Sequence, residues 1–293
     1  MLSSFGFERV ITNVFKLSCG RPGGDGVGDT DQLRDFYLDF LQDIYPGIPI
    51  NRSKDPFIHD AQYEAQLADA FTMDAAMGNA DQKAGFIGEG YAPDVHTEKI
   101  DFARAALDTL LARDDDLRAI FELVVHSVII RQSKSVNGRI THSSSSGTAV
   151  GVIWLSLVDG LSRQDVQELF VHELTHQLLF IDDFVHSQFQ YKRMSESDNH
   201  ALTAVSLSHR PLDIVIHSIV VAAEILVARQ ELLGEPEQPK VHPPTASMLP
   251  TIASSYASVR ALHSYDTLVT DHIGEILSRS LRQVAAIGCE VAS

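Results

Sequence analysis

The chain has 293 residues, 44% hydrophobic and 21% charged, the balance of a globular protein that can bury one large core or two modest ones. Its 39 acidic residues outnumber 23 scattered basic ones for a net charge of −16, a field that repels phosphate backbones and anionic lipid. Nucleic acid and membrane are therefore not expected as partners, whereas a neutral or basic peptide suits the charge.

No charged-then-apolar signal segment opens the chain, and no stretch reaches the roughly 18 unbroken apolar residues of a membrane span, so a cytoplasmic protein is expected. Cys19 and Cys289 lack metal-type spacing and read as unpaired thiols of a reducing compartment. Residues 20–28 are glycine-rich but lack a following Lys-Ser or Lys-Thr, and read as a flexible loop rather than a phosphate cradle. Leu33, Phe36, Tyr37, Phe40 and Leu41 recur at helical spacing, predicting a helix over Thr30–Ile44 that Pro46 and Gly47 stop. A second helix is expected over 60–77. Gly85, Gly88, Gly90 and Pro93 then predict a loop.

Residues 101–113 read as an amphipathic helix, and the β-branched stretch 121–130 as ending in a strand. Ser143 to Gly147 is a turn-forming run, after which residues 150–155 form a buried strand. Ser162 followed by Asp165 is a capping box that opens the next helix. Residues 191–210 are polar and irregular. Pro211 then starts a mostly apolar helix that lasts until Gly234. Pro236, Pro239, Pro243 and Pro244 mark a linker over 235–245, and one or two helices fill 246–287. The expected fold is α+β, predominantly helical, with a small number of strands. A single catalytic domain covers 1–293, with a helical N-terminal part over 1–100 and a metal-site core over 140–232.

Chemistry concentrates in His172-Glu173-Leu174-Thr175-His176. Histidines four apart on a helix project from one face about a turn from each other, so His172 and His176 can share a metal while Glu173 stays beside it. Val166, Phe170, Leu174 and Leu178 imply that this helix is buried, packed on a second, ligand-bearing helix. Two interior histidines without partners are costly, which favours a metal. An open site needs a third protein ligand. His217 is one candidate, because Asp213, His217 and Glu224 form a polar stripe on an otherwise apolar helix, and interior polar groups need partners. Glu196, twenty positions after His176, has a spacing that resembles thermolysin-like peptidases. His186, ten positions after His176, is a third candidate, with Leu179 where metzincins place glycine.

Residues 169–176, followed by Arg210-Pro211-Leu212-Asp213 and His217, resemble the HExxH-motif domain found with ribosomal peptide natural products. The likeness covers roughly residues 140–230 and includes the strand ahead of the motif helix. Members of that family are iron(II)- and 2-oxoglutarate-dependent peptide β-hydroxylases, which implies those two cofactors, a precursor peptide as partner, and His172, His176 and His217 as ligands. Three neutral ligands depart from the usual set containing a carboxylate, which leaves Glu196 or Glu224 as replacements for His217. The distal carboxylate of 2-oxoglutarate would take Arg210, or Arg139 with Ser143 or Ser145. Glu173 would orient a ligand or water. Two other functions fit the motif: a zinc metallopeptidase with Glu173 as general base, and an inactive metal- or peptide-binding scaffold.

Overall fold

A computed structural model describes residues 2–19, 28–73, 86–135, 140–205 and 207–292. The N-terminal part is helical. Helix α1 (Phe7–Ser18) buries Val10 and Val14, and α2 (Thr30–Ile44) buries Leu33, Tyr37, Leu38 and Leu41 at helical spacing. The Asp29 side chain accepts from the Gln32 N–H and so satisfies one of the open donors at the start of α2. Helix α3 spans Ala61–Met73; the expected continuation to residue 77 and most of the glycine-rich loop lie outside the described residues. Helix α4 (Pro93–Leu111) begins well before residue 101, because Pro93 occupies the first helical position, where its missing N–H costs nothing. Helix α5 (Asp115–Val124) follows, capped by Asp114.

Two expected irregular segments are strands. Residues 87–90, read as loop, form β1 (Ile87–Gly90), antiparallel to β2 (Ser127–Ser133). Gly88 is there because the strands approach closely: a Cβ on it would stand 2.9 Å from the Gln132 carbonyl oxygen. The serine run likewise begins as β3 (Ser143–Ser144), antiparallel to β4 (Val152–Leu155), with Ser143 opposite Leu155. Strands β2 and β4 are parallel, from Ser127 opposite Val152 to Ile130 opposite Leu155, and the sheet order is β1-β2-β4-β3. Side chains alternate between faces. Val128, Ile130, Ile153 and Leu155 enter the main core, while Ile129, Val152 and Trp154 meet Leu67 and Phe71 of α3. Strand β3 is the edge nearest the motif helix.

That helix, α6 (Arg163–His186), opens with the expected box: Ser162 Oγ accepts from the Asp165 N–H, and the Asp165 carboxylate accepts from the Ser162 N–H. The stretch after it is less irregular than its composition suggests, since β5 (His200–Leu202) and β6 (His209–Pro211) pair antiparallel. Pro211 then caps α7 (Leu212–Ala228), which continues as a π-helical turn over Arg229–Leu233 and stops at Gly234, whose φ is 79°. Helix α7 is apolar on nearly every side because it is covered on nearly every side, by α6, α8 (Thr245–Arg260) and α10 (Asp271–Ala292). A short α9 (Tyr265–Leu268) joins the last two. The fold is thus α+β and mostly helical. Among the described residues no helix is long and apolar enough to cross a membrane, and no disulfide joins Cys19 to Cys289.

Candidate metal centre

Helix α6 is buried from Asp165 to Leu179 except at His172 and His176, and Phe180 extends this half-exposed stripe by one more turn. Residues four apart share a helix face, so the two histidines and Phe180 form the partly exposed face of an element otherwise sunk in the core. Helix α7 brings His217 to the same place. The ring centroids of His172 and His176 are 5.0 Å apart, and those of His176 and His217 6.1 Å. Phe180 lies 6.0 Å and Phe189 5.7 Å from the His217 ring, so two aromatic rings pack beside that histidine. His217 Nε2 is 3.0 Å from Gln188 Oε1.

A fourth imidazole completes the array. His242 Nε2 lies 3.0 Å from His172 Nδ1, with the two rings tilted by only 21°. On its other side His242 Nδ1 meets the Glu168 carboxylate at 3.2 Å, and Arg229 grips that carboxylate with two hydrogen bonds of 2.8 Å. His242, Glu168 and Arg229 are all buried. None was visible as a site residue in the sequence. The available signals were faint: a histidine directly before two prolines, and a Glu168 one turn ahead of His172.

Burial sets the protonation of these groups. It holds His172 well below the ordinary histidine value, assisted by the nearby His176 and His242. Burial alone lowers His176 to about 4; burial and the neighbouring His176 lower His217 to about 3. All three are neutral nitrogen donors at neutral pH, so a metal need not compete with protons for them. Glu173 moves the other way, to about 7, because burial outweighs the hydroxyls of Ser143 and Ser145. Its Oε1 is 3.9 Å from His172 Nε2, and its buried Oε2 has no hydrogen-bond partner. A buried carboxylate oxygen left open on a residue beside His172, with neutral imidazoles at His172, His176 and His217, is a set of donor types suited to a divalent ion.

The other candidates are held elsewhere. Glu224 lies seven residues beyond His217, roughly 10 Å along the helix, and accepts from the Ser4 N–H at 2.8 Å, which fastens the N-terminal segment to α7. Glu196 is exposed and engaged by Arg193 and Asn199. Asp213 is half-buried near Asp183, and its carboxyl is raised by burial. Arg210 sits on β6 opposite Ala201, and Ser143 sits on β3 against Glu173. Arg139 lies outside the described residues.

His186 joins a different group. Asp182, His186 and His272 have ligand atoms within 4.8 Å of one another, and among the described residues no other group of three gathers so tightly. The three-histidine set around His176 is therefore more open than this one. The Asp182 group also has partners within the fold: its carboxylate accepts from Asn13 and Gln188 and lies 2.8 Å from His272 Nε2, His186 bonds Asn13, and the Arg9 guanidinium lies 2.8 Å from the same His272 nitrogen. Arg9 also lies 3.7 Å from the Asp182 carboxylate, so the group ties α1, α6 and α10 together.

No family model matches the chain, and no curated protein matches it.

Proposed function

We propose that the chain is a mononuclear metal enzyme, with the metal held by His172, His176 and His217, and that it hydroxylates β-carbons of a ribosomally made peptide using iron(II) and 2-oxoglutarate. The observation that carries this reading is the convergence of two motifs far apart in sequence. Residues 169–176 and 210–217 resemble one family, and His217 from the second is the ring neighbour of His176 from the first. Bound iron would supply the oxidation, with 2-oxoglutarate as co-reductant. The chain's own residues do the rest. Three neutral imidazoles leave positions for the keto acid and oxygen. Arg210, just ahead of α7, would take the distal carboxylate. Phe180 and Phe189 put apolar rings beside His217, and Glu173 holds or releases a proton near neutral pH next to His172 Nε2. Edge strand β3, beside α6, offers backbone groups to an extended peptide.

One observation favours a second reading. A carboxyl at about 7 near a metal ligand is also the general base of a zinc peptidase. The test is iron(II) titration of parent, His176→Ala and His217→Ala proteins under argon, followed by 2-oxoglutarate. The proposal expects a visible charge-transfer band in the parent only. Tight zinc binding, no band and cleavage of peptides would replace it with the peptidase.

A further inference from the structure

We infer that His242 is a positioning residue of this centre: its hydrogen bond to His172 fixes the imidazole tautomer that leaves His172 Nε2 free to bind metal. The inference rests on the reading of His172 as a ligand. Its basis is a directional chain of hydrogen bonds. Arg229 has donors only, and two of them occupy Glu168, whose Oε1 takes Nε and whose Oε2 takes a terminal nitrogen, each at 2.8 Å. That clamp and the His242 bond hold the Glu168 carboxyl below its usual value despite burial, so it acts as an acceptor. His242 Nδ1 must then carry the hydrogen it shares with Glu168. With that hydrogen on Nδ1, the other nitrogen of His242, Nε2, is the acceptor, and the donor across 3.0 Å is His172 Nδ1–H. His172 Nε2 is left with its lone pair. Glu173 Oε1, at 3.9 Å, is too far to hold an Nε2–H on His172.

The segment carrying His242 is built for this placement. Arg229 also donates to the carbonyls of Pro243, at 2.8 Å, and His242, at 3.3 Å. Asp165 accepts from the Lys240 N–H at 2.9 Å. The proline-rich segment 235–245 is thus a strap laid back over the start of α6, and not only a linker. Outer groups that orient a metal-bound histidine commonly change metal affinity by about 10- to 100-fold.

The test uses the full chain labelled with ¹⁵N at histidine, the His172 signals being assigned by comparison with His172→Gln. In the metal-free parent His172 should be in the Nδ1–H form. His242→Ala should mix the two forms and weaken iron(II) and cobalt(II) binding by about 10- to 100-fold. His242→Gln, whose amide can donate to Glu168 and accept from His172, should restore most of both. A parent that binds metal with His172 in the Nε2–H form overturns the relay but spares the metal reading. A parent in the Nδ1–H form that binds no metal overturns the metal reading, and the positioning role with it. Parental affinity and tautomer in both His242 variants would also overturn the inference.

Discussion

Replacing Glu173 by Gln should stabilise the metal-free protein, and the gain should grow with pH. The Glu173 carboxyl sits at about 7 in the fold against 4.5 for the ordinary group, chiefly because it is buried. Between those values the folded chain holds a proton that the unfolded chain has lost, so stability falls as pH rises through this window. Each pKa unit corresponds to about 1.4 kcal/mol, which makes the full cost above pH 7 roughly 3 kcal/mol. About 1.4 kcal/mol of it is already present near pH 5.5, so between about pH 5.5 and 8.5 the advantage of the variant should widen by roughly 2 kcal/mol. The lowered histidines act in the opposite direction, with stability lost as pH falls below 6.5, but both proteins share them and the difference cancels their effect. Urea denaturation of both proteins in chelator at the two pH values measures it. A gap that stays constant with pH would show that Glu173 is an ordinary carboxylate and would remove the basis for its role as a proton carrier. Saturating metal should shrink the gap, because a cation nearby favours the charged carboxylate.

His172→Ala and His176→Ala should each abolish stoichiometric metal binding, since an open site loses too many bonds when one of three ligands goes; full occupancy in either variant, read by metal analysis after dialysis, would sink the site. His217→Ala should weaken metal binding far more than Glu196→Ala, because Glu196 is exposed and paired with Arg193; the reverse order in titration would move the third ligand to the loop. Asp182→Ala should cost roughly 3 kcal/mol in urea while leaving metal affinity at the parental level, as expected for a buried carboxylate paired with Arg9 and His272 in a structural role. Loss of metal with little loss of stability would make Asp182, His186 and His272 the metal site instead.

The motif helix was legible because its signals are local. Ser162 and Asp165 announce its start, and the spacing of His172 and His176 fixes their common face. Pro211 and Gly234 bounded the second helix in the same way. Strands β1 and β3 were hidden because Gly88 and the serines carry no strand propensity; pairing with β2 and β4 decides their conformation, and that is a long-range event. The polar stripe on α7 divided for a related reason. Helical spacing puts Asp213, His217 and Glu224 on similar azimuths, but what each meets depends on the neighbour at that height: Gln188 and His176 for His217, Ser4 for Glu224. His242 escaped notice because its partner Glu168 is far away in sequence, and composition alone marked its surroundings as linker.

The most direct test of the central claim is succinate production. Protein loaded with iron(II) under argon is mixed with oxygen and 2-oxoglutarate, and succinate is measured over time beside His176→Ala and His217→Ala. The account predicts oxygen-dependent succinate from the parent, slow even without peptide, and none above background from either variant. Iron-loaded parent that leaves 2-oxoglutarate unconsumed, while the zinc-loaded protein cleaves peptides in a Glu173-dependent manner, would contradict it.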